Sequence, residues 1–100
     1  MNYINLTPHP IRLNDGRVFE PSGKVARVSC SYTEFENDCC KAVYGPVANL
    51  PLPEPGTLLI VSALVKAATQ RSDVVAPATG HPDCIRDEKG FIVSVPGFIV

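Results

Sequence analysis

No apolar run in this chain approaches the ~20 residues that a membrane-spanning helix needs. Positive charge is not in excess either. Nine Lys and Arg against ten Asp and Glu leave a net charge of −1, so DNA, RNA and anionic membranes are not expected partners. The start at Met1 is polar and lacks the basic-then-apolar pattern of a signal peptide, which makes the cytoplasm the expected location. Signatures of high catalytic specificity are missing as well. There is no GxSxG elbow, no P-loop and no GxGxxG fingerprint. The zinc-deaminase pattern of a Glu near a His with two later cysteines is not supplied.

Four cysteines are present, Cys30, Cys39, Cys40 and Cys84, without a CxxC pair. His81 and Cys84 make one HxxC pair that His9 can join in principle. The plainer expectation is four reduced thiols packed as small hydrophobes, with no metal and no cofactor. No repeat, low-complexity segment or domain boundary is evident. Residues 1–100 therefore read as a single domain, large enough to bury a modest core.

What is there is organised around Gly56–Pro77. Leu58 to Val61 form a short branched apolar run after Pro55-Gly56, the pattern of a strand buried on both faces. Ser62 suits an N-cap. A helix over about 62–70 follows, with Leu64, Ala67 and Ala68 as its apolar side. Val74 to Ala76 resume a strand, which Pro77 ends. Elsewhere Tyr3–Leu6, Ile11–Leu13, Arg17–Phe19, Lys24–Ser29 and Lys41–Tyr44 read as strands, with Asn14-Asp15-Gly16 as a hairpin turn. Thr7-Pro8-His9-Pro10 interrupts the first of these, because proline cannot donate to a ladder. Ser31–Asp38 reads as an exposed acidic loop with at most one helical turn. Cys84–Arg86 and Phe91–Val95 flank a turn at Asp87–Gly90, and Phe98–Val100 is an apolar tail that needs cover. The expected fold is α+β, mainly β: a small, highly twisted antiparallel sheet or barrel of about seven short strands with one short helix.

Two groups of residues suggest a ligand site. Asn5, Thr7 and His9 alternate, so they share one strand face that is polar where a core face should be apolar. They form either a ligand-facing row, with His9 as a possible acid–base group, or turn chemistry around two prolines. Arg27, Arg71 and Arg86 each lie in or beside an apolar segment. They require either a carboxylate such as Asp73 or Asp87, or a bound phosphate. Asp73 can also accept ribose hydroxyls, and Tyr32 and Tyr44 can stack a base.

Several segments taken in order resemble a family of small proteins encoded by bacteriophages and bacterial genomes. They are Asn5-Leu6-Thr7-Pro8-His9-Pro10-Ile11, Pro21–Arg27, Tyr44–Val47, Leu50-Pro51 with Pro55-Gly56-Thr57, Ile60-Val61-Ser62, Arg71–Pro77 and Ile85–Gly90. The Ser31–Cys40 and Gly80–Cys84 loops depart from that pattern. The resemblance implies a phage protein in the host cytoplasm. By analogy with other small phage proteins, it suggests one that sequesters a nucleotide-derived immune signal without cleaving it. A cyclic dinucleotide or an ADP-ribose derivative would be held by Asn5, Thr7, His9, Arg27, Ser62, Arg71, Asp73 and Arg86, in a homo-oligomer. The alternatives are a protein that binds and inhibits a host protein and, third, a nucleotide hydrolase using His9.

Overall fold

A computed structural model describes residues 2–100. Ten short strands and one helix follow in the order β1 (Asn2–Asn5), β2 (Ile11–Arg12), β3 (Val18–Phe19), β4 (Arg27–Tyr32), β5 (Ala42–Ala48), β6 (Thr57–Ile60), α1 (Ala63–Ala67), β7 (Val74–Pro77), β8 (Ile85–Arg86), β9 (Ile92–Ser94) and β10 (Phe98–Ile99). The fold is mainly β, as the sequence implies, but no sheet among the described residues closes into a barrel.

The centre is a four-stranded sheet in the order β1-β6-β7-β10. β6 pairs in parallel with β1, Asn5 facing Ile60, and in parallel with β7, Ile60 facing Val75. α1 supplies the crossover from β6 to β7, as a parallel pair requires. β10 pairs with β7 antiparallel, so the apolar tail is tied into the sheet edge. The parallel pairings are a correction to the all-antiparallel expectation. Hydrophobic patterning fixes burial on both faces of β6, but it does not fix strand direction.

Each face of this sheet carries its own core. On one side Leu59, Val61 and Val74 meet Leu6, Ala26 and Val65, with Val28, Val47 and Leu50 at the margin. On the other, Ile60 and Val75 meet Ile11, Leu13 and Val95. Tyr3, Phe19 and Phe98 close that second side, with ring centroids 4.9 to 5.7 Å apart. Alternation along β6 therefore feeds both cores.

Three hairpins attach to this centre: β2–β3, β4–β5 and β8–β9. Gly16 and Gly90 take the positive φ that the β2–β3 and β8–β9 turns need. In the β4–β5 hairpin Ser31 and Tyr32 extend the strand, while Thr33–Asp38 is the exposed acidic connection expected there, without a helical turn. Asn37 and Asp38 both adopt positive φ, and Glu36 and Cys39 exchange backbone hydrogen bonds of 2.7 and 2.9 Å. That is a two-residue type I′ turn, for which Asn and Asp are favoured. β5 also runs on through Gly45-Pro46, where the ladder shifts register. The radius of gyration, 15.3 Å, exceeds the ~13 Å of a compact chain of this length, because the distal half of this arm stands away from the body.

The helix is shorter than expected. It stops at Ala67, and Ala68 caps it. Its buried residue is Val65, whereas Leu64 is half exposed, so the inward side lies one position past the expected one. Ser62 is the N-cap, its hydroxyl accepting from the Val65 amide at 3.3 Å.

Ile60 is fully buried and Leu52 is 86% exposed. Ile60→Ala is expected to lower unfolding stability by about 3 kcal/mol in urea denaturation. Leu52→Ala is expected to change it by less than about 0.5 kcal/mol.

Candidate functional site

Because β1, β6 and β7 run parallel, their carboxyl ends emerge at one edge of the sheet. Open sheets with parallel strands bind ligands outside that edge. Here it opens into a cleft of about 430 Å³ lined by Thr7 and His9 after β1, Ser62 and Ala63 after β6, and Pro77 and Thr79 at the end of β7. β2 and β9 form the facing wall with Ile11, Arg12, Ile92, Val93 and Ser94. The volume lies within the ~300–1,000 Å³ of small-molecule sites.

Asn5 builds one wall without facing the cleft. It is buried, and its side chain is fully used. Its amide nitrogen donates to the carbonyls of His9 and Phe19 at 2.9 Å each. Its oxygen accepts from the Thr7 amide at 2.9 Å and from the Thr7 hydroxyl at 2.7 Å. The knot folds the Thr7–Pro10 segment back over the sheet edge and presents His9 at the rim. Turn chemistry therefore accounts for Asn5 and for the Thr7 proton, and the His9 ring, which is exposed, has no hydrogen-bond partner among the described residues.

The cationic candidates scatter. Arg71 and Asp73 precede β7, at the sheet edge opposite the cleft. Arg71 donates to both carboxylate oxygens of Asp73, at 3.0 and 2.6 Å. These hydrogen bonds hold the Asp73 carboxyl below its ordinary 3.8 despite partial burial. Arg86 donates to the carbonyls of Gly90 at 2.9 Å and Thr79 at 3.1 Å, so it braces the cleft rim through the backbone. Asp87 is spent in its own turn, accepting from the Lys89 and Phe91 amides. Arg27 lines a second, smaller cleft of about 220 Å³, which shares Thr7 and Ser62 with the first. Of the eight sequence candidates, Thr7, His9 and Ser62 come together in this strand-end cleft, the main cleft by its place at the centre of the fold, although a hollow of about 620 Å³ at the β4–β5 tip around Phe35 is larger. Asn5 supports the main cleft, Arg86 braces it, Arg27 lies beside it, and Arg71 and Asp73 lie apart.

The cation that the main cleft holds is Arg12. Alternation of Ile11-Arg12-Leu13 puts it on the side away from the core, which was the available signal. Ser94 is the other unexpected member. It is buried, and its hydroxyl donates to the Asn14 side-chain oxygen at 2.6 Å. Asn14 donates in turn to the Asp83 carbonyl at 2.9 Å, linking the cleft wall to the Gly80–Cys84 loop.

All four cysteines are free, and no cluster of three metal-ligating side chains occurs among the described residues. No helix among them is long and apolar enough to cross a membrane. No family model, curated protein or solved structure matches the chain.

Two variants separate support from recognition. Asn5→Ala removes the acceptor of the buried Thr7 amide and hydroxyl and a donor to the Phe19 carbonyl, and is expected to cost about 2 kcal/mol of stability. Arg71→Ala is expected to cost about 1 kcal/mol near neutral pH. Since the Asp73 pKa is lowered on folding, that difference is complete above the unfolded carboxyl's titration near pH ~4. It is lost as pH falls through the folded value. Urea denaturation at neutral and acid pH reads both.

Proposed function

We propose that this protein is a phage-encoded binding protein that takes a nucleotide-derived immune signal into the main cleft and holds it intact, counteracting host defence. The ligand class is a cyclic dinucleotide or an ADP-ribose derivative. The observation that carries this reading is the lining. Arg12 and His9 face a largely apolar cleft that also presents the hydroxyls of Ser62 and Thr79 and has no carboxylate among its described lining residues.

Each part of such a ligand finds suitable chemistry. The Arg12 guanidinium matches phosphate oxygens in pairs. Ser62 and Thr79 can exchange hydrogen bonds with ribose hydroxyls. Ile92, Val93 and Pro10 offer flat apolar surface to a base. Holding rather than hydrolysing suits His9. A general base is normally oriented by a hydrogen bond to its second ring nitrogen, and the His9 ring has no such partner among the described residues. The resemblance of the Asn5–Ile11 and Arg71–Pro77 segments to phage proteins supports the biological setting.

A second reading, a protein that binds and inhibits a host protein, draws on the exposed edge strand β10, where Ile99 and Val100 lie open. A stoichiometric host protein captured through that edge, and lost on Ile99→Asp, would favour it.

The test is native mass spectrometry of the purified chain, titrated with cyclic dinucleotides and ADP-ribose derivatives. The expected result is an added mass equal to that of the intact ligand. Arg12→Ala is expected to weaken binding at least tenfold, about 1.4 kcal/mol, while Arg71→Ala binds as the parent does. A bare spectrum across the panel contradicts the reading, and release of a cleaved product would make the protein a hydrolase.

A further inference from the structure

The β4–β5 arm has the sequence of a half-buried hairpin but stands largely in solvent. Val28, Cys30 and Tyr32 alternate with Arg27, Ser29 and Ser31 along β4. Across the ladder Cys30 faces Tyr44 and Tyr32 faces Ala42. One side of the arm is therefore Val28, Val47, Cys30, Tyr44, Tyr32 and Ala42, and the other is richer in serine. The inner end of the apolar side is packed, since Val28 and Val47 join the first core. The outer end is bare, with Tyr32 70% and Tyr44 47% exposed. An isolated two-stranded hairpin is marginal in water, and this apolar stripe runs unbroken from the core onto the arm.

We infer that the arm packs against the same arm of a second copy, antiparallel about a two-fold axis, with Phe35 of each copy seated in the small cleft beside Arg27 of the other.

Three observations specify a second copy as the occupant. First, the charges match head to tail. The arm tip carries Glu34, Glu36 and Asp38 against a single Lys41, whereas Arg27 begins the arm and Lys24 lies three residues before it. Arg27 makes no salt bridge among the described residues. Antiparallel stacking lays each acidic tip over a basic base, as an isologous contact requires. Second, the geometry closes. Val28 belongs to the apolar side of the arm and also lines the small cleft, so an arm stacked on that side ends at the cleft. At about 220 Å³ the cleft is smaller than the ~300 Å³ lower bound of ligand pockets and suits one side chain. Phe35, 73% exposed between two glutamates, has the apolar body for its floor and the flanking charge for Arg27. Third, the area suffices. Tyr32, Tyr44 and Phe35 leave roughly 400 Å² of aromatic surface open per copy, at about 200 Å² per side chain. A symmetric pair doubles this, and Cys30, Ala42 and the strand backbones bring it to the ~1,000 Å² of a specific interface.

The two-fold axis then passes near mid-arm, where Cys30 lies on the packed side. The cleft that receives Phe35 shares Thr7 and Ser62 with the main cleft, so the second copy contributes a side chain next to the ligand site. The interface itself does not depend on the identity of any ligand.

Sedimentation velocity of the full chain across a concentration series tests this. A dimer is expected. Arg27→Glu and Glu36→Lys, both at exposed positions, are each expected to weaken self-association at least tenfold with unchanged circular dichroism, and the two combined in one chain restore it. In a chain whose Cys39, Cys40 and Cys84 are replaced by serine, a short bis-maleimide is expected to join two copies through Cys30, and Cys30→Ser to abolish the product. A monomer throughout, an oligomer indifferent to both charge reversals, or a double variant that is not restored overturns the inference. In any of those cases the cleft can still be assayed for ligand.

Discussion

Parallel pairing of β6 with strands on both sides is the constraint on which the rest depends. β6 is short, so it holds the centre of the sheet only if both of its faces are covered. Leu59 and Val61 fill one core and Ile60 the other. A parallel partner cannot follow through a tight turn, so the chain must cross over, and α1 makes that crossing. With three strands pointing one way, their carboxyl ends share an edge. The cleft is the result of that shared direction.

The same edge explains how polar groups are divided between structure and recognition. A buried side chain must satisfy every donor and acceptor it carries, and Asn5 does so by tying Thr7, His9 and Phe19 together. Once Asn5 is committed to the backbone, the groups left facing the cleft are the His9 ring, the Arg12 guanidinium and the hydroxyls of Ser62 and Thr79. At the opposite edge Arg71 and Asp73 satisfy each other. Guanidinium groups therefore have three different roles here: Arg71 is paired with a carboxylate, Arg86 is bonded to carbonyls, and Arg12 faces an open volume.

Much of this was legible in the residues. The branched run Leu58–Val61, the Ser62 cap, the return at Val74 and the Asn14-Asp15-Gly16 hairpin follow from local pattern and turn chemistry. Strand direction did not follow, because burial on two faces is compatible with either pairing. Both strands of the arm were legible in part, as Lys24–Ser29 and Lys41–Tyr44, but their outer pairing was not, because the acidic residues of Ser31–Asp38 pointed to a loop. The apolar alternation from Val28 to Tyr32 crosses the boundary drawn at Ser29. The site was half legible. Thr7, His9 and Ser62 converge because they follow strands that prove to be parallel. Arg12 was passed over because a charged residue alternating in a hairpin strand looks like ordinary solvent-facing surface until β9 is placed across from it. Arg71 and Asp73 attracted attention for their chemistry, and that chemistry is complete between them.

The most direct test of the central claim is a map of backbone amide chemical shifts as ADP-ribose derivatives and cyclic dinucleotides are titrated into the isotopically labelled protein. The account predicts that the perturbed amides cluster on the three strand ends and the facing wall: Thr7 to Arg12, Ser62 and Ala63, Thr79, and Ile92 to Val95. Perturbations centred on Arg71 to Asp73, or none for any ligand of the panel, would contradict it.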